Sequence, residues 1–173
     1  MMPELIPILS AAELRRIVFD LAQRIEADYR GRNLVLIGVL KGAFVFLSDL
    51  IRGLSMPVKV DFVQASSYGN GTESAGHIRL SKGIGLDIRS QDVLLVEDIV
   101  DTGLTVRWII DYLESLQPRS VAVCALINKP GRREVDVPIA YAGYVADNGF
   151  LVGYGLDYAE QYRQLPDICQ LNL

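Results

Sequence analysis

The chain has 173 residues, 50% hydrophobic and 22% charged, which suits one globular domain (residues 1–173) with a sizeable core. Its net charge of −4 argues against broad electrostatic binding to nucleic acid or anionic membrane, which needs a basic face. The two cysteines, Cys124 and Cys169, form no CxxC pair, so neither a disulfide framework nor a structural zinc site is expected.

The N-terminal MMPELIPILS lacks a positive segment followed by a long apolar stretch and does not read as a secretory signal. No run reaches the roughly 20 apolar residues of a membrane span, so the expected location is the cytoplasm. Ser10 and Glu13 match a capping box at a helix start. Leu14, Ile17, Val18, Leu21 and Ile25 then recur at the spacing of one helical face, and Gly31 is a stop signal. Residues 33–40 (NLVLIGVL) are too short for a typical helix and read as a buried parallel strand. Residues 43–54 return to helical spacing, and 57–64 read as another strand.

Residues 66–76 (SSYGNGTESAG) have little to bury and read as a mobile loop, with a short hairpin expected around 78–88. Residues 92–96 (DVLLV) are the clearest buried strand. A helix is expected over 103–116, with Trp108, Ile109, Tyr112, Leu113 and Leu116 facing inward. Strands are expected at 120–127, 140–145 and 150–153. Cys124 sits in an apolar run and reads as a small buried hydrophobe. The alternation predicts an α/β fold, a mostly parallel central sheet flanked by helices. In such sheets ligands bind at the carboxyl ends of the strands, so the loops after Leu40, Val96 and Ile127 should meet.

The stretch richest in chemistry is VLLVEDIVDTGLTV, residues 93–106. A buried strand runs into two adjacent acids, Glu97 and Asp98. Asp101, Thr102, Gly103, Leu104 and Thr105 then open a helix, whose unpaired N–H groups and dipole favour an anion. Glycine lets backbone approach the anion and threonine hydroxyls donate to it, which makes a phosphate cradle. The spacing fits neither a Walker loop nor a GxGxxG fingerprint. The acids beside it can accept hydrogen bonds from sugar hydroxyls or hold magnesium. The structural alternative is a pair of solvated acids at a strand end, with Asp101 as a helix N-cap.

This segment resembles the phosphoribosyl-diphosphate motif of type I phosphoribosyltransferases. LKGA (40–43), SSYGNGTESAGHIRL (66–80), NKPGRR (128–133) and FLVGYGLDYAEQYRQLPDI (150–168) narrow the resemblance to the hypoxanthine (hypoxanthine-guanine) phosphoribosyltransferases. The matches span nearly the whole chain in order. That family moves a 5-phosphoribosyl group from phosphoribosyl diphosphate (PRPP) to a purine base.

The resemblance implies a type I phosphoribosyltransferase fold with a small hood. It implies that Glu97 and Asp98 bind the ribose hydroxyls with help from Mg2+, while Asp101 through Thr105 hold the 5′-phosphate. Asp101 would also be the general base or acid toward the purine imidazole nitrogen. Lys41 and Gly42 would meet the diphosphate with backbone amides, through a peptide that is often strained or cis in the family. Lys129 would donate to the 6-oxo group of the base, Phe150 would stack on it and Leu151 would reach it through its backbone. Asp157 would bind a second magnesium, and Arg163 would pair with diphosphate oxygens. Ser67 and Tyr68 would sit on a flexible loop that closes over the reacting centre. The family commonly forms dimers or tetramers, so a homo-oligomer is expected. Leu104 departs from relatives that carry lysine there, and this leaves the cradle to backbone amides and hydroxyls. Three other readings are weighed: transfer to another base such as xanthine or uracil, a nucleic-acid-binding regulator on the same fold, and a structural α/β protein, which leaves the acids and small residues clustered at strand ends unexplained.

Overall fold

The computed structural model describes residues 4–68, 77–147 and 149–172. Its helix α1 (Ala11–Tyr29) starts as expected. The Ser10 side chain accepts from the Glu13 N–H, and the Glu13 carboxylate accepts from the Ser10 N–H at 2.8 Å. The buried face of α1 runs through Leu14, Val18, Leu21, Ile25 and Tyr29, and Gly31 follows with φ of +76°.

The strands in chain order are β1 (Glu4–Leu9), β2 (Leu34–Val39), β3 (Lys59–Tyr68), β4 (His77–Lys82), β5 (Asp92–Val100), β6 (Ser120–Asn128), β7 (Tyr141–Val145), β8 (Phe150–Val152) and β9 (Ile168–Asn172). Helix α2 (Phe44–Arg52) links β2 to β3, and α3 (Leu104–Ser115) links β5 to β6. Six strands form one sheet in the order β4-β3-β2-β5-β6-β7. Only the β3–β4 pairing in it is antiparallel. The mostly parallel α/β sheet expected from sequence is therefore present.

Every residue of β2 is buried, as is most of β5, because helices cover both faces of the sheet. One core packs α1 and α2 against the sheet through Leu36, Phe46, Leu47 and Leu94. The other packs α3 through Val35, Leu95, Ile109 and Leu113. Cys124 is fully buried, and burial pushes its thiol up to about 12. The chain order reverses between β2 and β5, so the crevice outside their carboxyl ends is the ligand position for this topology. A second, antiparallel sheet of β1, β9 and β8 forms the hood. No helix among the described residues is long and apolar enough to cross a membrane.

Three expectations need correcting. Ser66, Ser67 and Tyr68 belong to β3, where backbone pairing with Arg79, Ile78 and His77 of β4 holds them extended; residues 69–76 of the expected loop lie outside the described residues. The expected 78–88 hairpin is absent, because its first half pairs backward with β3 instead. In α3 the buried face is Val106, Ile109, Ile110 and Leu113, with Trp108 and Tyr112 packed half-buried against it as expected, while Leu116 is 36% exposed.

Candidate active site

Three loops leave the carboxyl ends of β2, β5 and β6 and meet the hood around a cavity of about 300 Å3. Lys41 and Gly42 come from the first, Asp101 from the second with Asp98 at the end of β5 itself, and Lys129 from the third. Phe150, Leu151, Asp157 and Arg163 close it from the hood side. The convergence expected from the strand pattern is thus realised.

The turn after β2 begins with a cis peptide between Leu40 and Lys41. Gly42 packs so tightly on Asp98 that any Cβ there would run into the Asp98 carboxylate. The Lys41 ammonium lies 2.8 Å from the Glu160 carboxylate. Arg163 extends this chain of charge: its Nη2 lies 3.3 Å from Glu160 and 2.9 Å from Asp157, while Nη1 donates to the Gly155 carbonyl at 2.8 Å. The Lys41 ammonium and the Arg163 guanidinium are thereby held on one carboxylate. Asp157 opens no helix; its carboxylate accepts from the Glu160 N–H at 2.9 Å.

Glu97 and Asp98 are both buried at the end of β5. Burial and the proximity of Asp98 push the Glu97 carboxyl well above its ordinary range, and burial raises Asp98 as well. Asp98 faces the cavity, whereas Glu97 lies behind it and accepts from the Asp98 N–H at 3.1 Å.

Asp101 is not the N-cap of α3. That position is Gly103, whose φ of +85° lies in the left-handed region, and no side chain caps the helix. The Asp101 carboxylate instead reaches toward the cavity. Its Oδ2 lies 3.2 Å from Arg132, and its Oδ1 is buried with no partner among the described residues. Thr102, Gly103, Leu104 and Thr105 wrap the helix start beside the cavity rather than lining it.

Lys129 is buried, and its ammonium donates to the carbonyl of Gly149. Burial lowers its pKa, and the charge of Asp101 opposes that shift. Phe150 follows directly, 46% exposed, with its ring edge-to-face on Tyr158 at 5.5 Å. A core phenylalanine would be covered; this ring is presented to the cavity.

A larger groove of about 950 Å3 adjoins this site, between α1, α2 and the hood, and carries the exposed rings of Phe19 and Phe44. Arg163 lines both. The smaller cavity is the candidate active site, because the ammonium, the ring and the unpartnered carboxylate oxygen converge there.

The model of the phosphoribosyl transferase domain matches residues 8–159. The chain belongs to this phosphoribosyl transferase family. The hypoxanthine phosphoribosyltransferase of Salmonella typhimurium is 42% identical over 161 residues, covering 92% of this chain and 90% of that protein. The hypoxanthine-guanine phosphoribosyltransferase of Mycobacterium tuberculosis is 44% identical over 171 residues, 95% of this chain and 85% of the relative. A crystal structure of a hypoxanthine-guanine phosphoribosyltransferase from Bacillus anthracis superposes with a TM-score of 0.91 at 44% identity, covering 95% of this chain and 96% of that one.

In this phosphoribosyl transferase family member, Ile99, Arg132 and Leu156 also line the candidate cavity, and sequence reasoning did not single them out. Arg132 lies in the NKPGRR segment, three residues after Lys129. Among the described residues no three carboxylate, imidazole or thiolate groups gather into a metal cage. Asp98 and Asp157 nevertheless bring two carboxylates to one cavity. That set fits magnesium, which is usually held by one or two carboxylates with phosphate and water completing its shell.

Proposed function

We propose that the chain is a purine-salvage enzyme that transfers the 5-phosphoribosyl group of PRPP to hypoxanthine and guanine, giving IMP or GMP and diphosphate. The observation that carries this reading is the meeting of a buried ammonium (Lys129), an exposed ring (Phe150) and a carboxylate with one unpartnered oxygen (Asp101) in one cavity.

Each group has a task that suits its setting. The Lys129 ammonium would donate to the 6-oxo group and refuse adenine, which presents an amino donor there. Such matching of desolvated polar groups discriminates strongly. Phe150 would stack on the purine, and Leu151 would meet it through its backbone. Asp101 would accept the imidazole proton as the base attacks the anomeric carbon, its charge suiting the cationic sugar of the transition state. The Thr102–Thr105 amides and hydroxyls would hold the 5′-phosphate, with Leu104 contributing backbone alone. Asp98, supported by Glu97, would receive the ribose hydroxyls.

Lys41, Gly42 and Arg163 would meet the diphosphate, the fork of Arg163 pairing with two oxygens. Held by Asp98, Asp157 and substrate oxygens, magnesium would supply counter-charge for the leaving diphosphate. Ser67 and Tyr68, at the end of β3, would cover the reacting centre and keep water from the activated sugar. We further propose a cytoplasmic homo-oligomer, a dimer or tetramer, for which the exposed Phe19 and Phe44 supply an apolar face.

The test is nucleotide formation from PRPP and magnesium, with hypoxanthine, guanine, xanthine, adenine and uracil compared side by side. Turnover of hypoxanthine or guanine without adenine is expected. Turnover of uracil alone would discard the base assignment. No product from any base would favour the regulator reading.

A further inference from the structure

A trans peptide is planar, so each N–H points opposite to the carbonyl of the residue before it. Holding a carbonyl therefore aims the next amide. In residues 100–103 every carbonyl is held from the protein side. Val100 accepts from the Lys129 N–H at 2.9 Å and from Arg133 Nη2 at 3.4 Å. Asp101 accepts from Arg133 Nε at 3.1 Å. Thr102 accepts from the Glu134 and Val135 amides at 2.9 and 3.3 Å, and Gly103 from the Arg107 amide at 2.8 Å. By that planarity the following amides face away from these partners, and the Leu104 N–H donates to the Thr102 hydroxyl at 3.4 Å. Among the described residues those of Thr102 and Gly103 have no protein acceptor.

Arg133 is the one side chain in this clamp. Its Nη2 is anchored by the Asn128 side chain at 2.6 Å, and Nη1 reaches the Val137 carbonyl at 3.4 Å. Its stem lies against Gly103, where a Cβ would come within 2.9 Å of Arg133 Cδ. We infer that Arg133 is a positioning residue: by holding the carbonyls of Val100 and Asp101 it aims the amides of the phosphate loop at the 5′-phosphate. This rests on the phosphoribosyltransferase reading. A lysine offers a point charge in place of the planar fork and would replace the clamp only in part.

The test compares Arg133→Met, which keeps the stem and removes the donors, with Arg133→Lys. For each, KM for PRPP, KM for hypoxanthine, kcat and Tm are measured, with the Kd of ribose 5-phosphate by calorimetry. For Arg133→Met the PRPP KM and ribose 5-phosphate Kd should rise roughly ten- to hundredfold, the penalty of a misplaced binding group. The hypoxanthine KM at saturating PRPP should stay within about twofold, because Lys129 keeps its own backbone anchor. Arg133→Lys should recover part of the loss. A folded Arg133→Met with wild-type PRPP KM overturns the inference, as does a loss that tracks the folded fraction for both substrates alike. If Arg133→Met does not fold, Asn128→Ala removes only the guanidinium's anchor. It should raise the PRPP KM alone, and an unchanged value overturns the inference. If the wild type makes no nucleotide the functional reading falls, and the ribose 5-phosphate Kd decides the clamp by itself.

Discussion

The Lys41 ammonium and the Glu160 carboxylate, 119 residues apart in sequence, lie 2.8 Å from each other and tie the turn after β2 to the hood. Glu160 also touches Arg163, so one exposed carboxylate bridges two cations beside the proposed diphosphate site. Glu160→Gln should free both. Product inhibition by diphosphate should then strengthen, with Ki falling roughly two- to fivefold, the scale of an exposed ion pair. An unchanged Ki would separate Glu160 from the diphosphate site.

Lys129 sets a pH dependence. Burial lowers its pKa, so its charge is lost at a lower pH than that of an ordinary lysine at about 10.4. The KM for hypoxanthine should rise on the alkaline side, starting below that value, as the ammonium loses its proton. Lys129→Met should flatten this limb and narrow the preference for hypoxanthine over adenine. A variant that keeps both the limb and the preference would exclude Lys129 as the selecting group.

Gly42 is argued from space alone. A methyl at this position would collide with the Asp98 carboxylate. Gly42→Ala should therefore displace Asp98 or the turn and reduce kcat/KM for PRPP by about 10²-fold, as misplacement of about 1 Å can do. Circular dichroism should show the fold retained. Wild-type kinetics in this variant would mean that the close approach has no part in binding.

Asp92 offers a check on the fold independent of function. It is buried at the start of β5 and accepts from both arms of Arg119 and from the Ser120 hydroxyl at 2.7 Å. The Arg119 hydrogen bond, foremost among the causes, holds its carboxyl below the usual range. The unfolded state then binds more protons, so this stabilisation is present above about pH 4 and is lost as pH falls through the depressed value. Asp92→Asn should cost about 1–3 kcal/mol at pH 7. The gap in denaturant midpoint should close in acid. A gap independent of pH would show that the charge is not what stabilises.

These sites also show what a sequence can carry. β2 and β5 were readable because burial on both faces leaves continuous apolar runs, and α1 because Ser10 and Glu13 mark its start. β1 and β9 escaped reading. Each is short, β1 contains Pro7, and their pairing joins Glu4 to Asn172 across the length of the chain. Ser66 to Tyr68 looked like loop because their composition is small and polar, yet cross-strand pairing decides their conformation. In the site, Asp98 and Asp101 followed from motif and strand-end position, and Lys129 from the family resemblance alone. Arg132, Glu160 and Arg133 were missed because their parts depend on partners distant in sequence or on backbone direction, which residue spacing does not express.

The most direct test of the central claim is magnesium-dependent formation of IMP from PRPP and hypoxanthine, measured for the wild type and for Asp101→Asn. The account expects equal amounts of IMP and diphosphate from the wild type. In the variant it expects kcat reduced by about 10²- to 10⁴-fold, as for loss of a general base, with PRPP binding retained. No IMP from the wild type, or a variant that turns over at the wild-type rate, would contradict the assignment of this cavity as the catalytic centre.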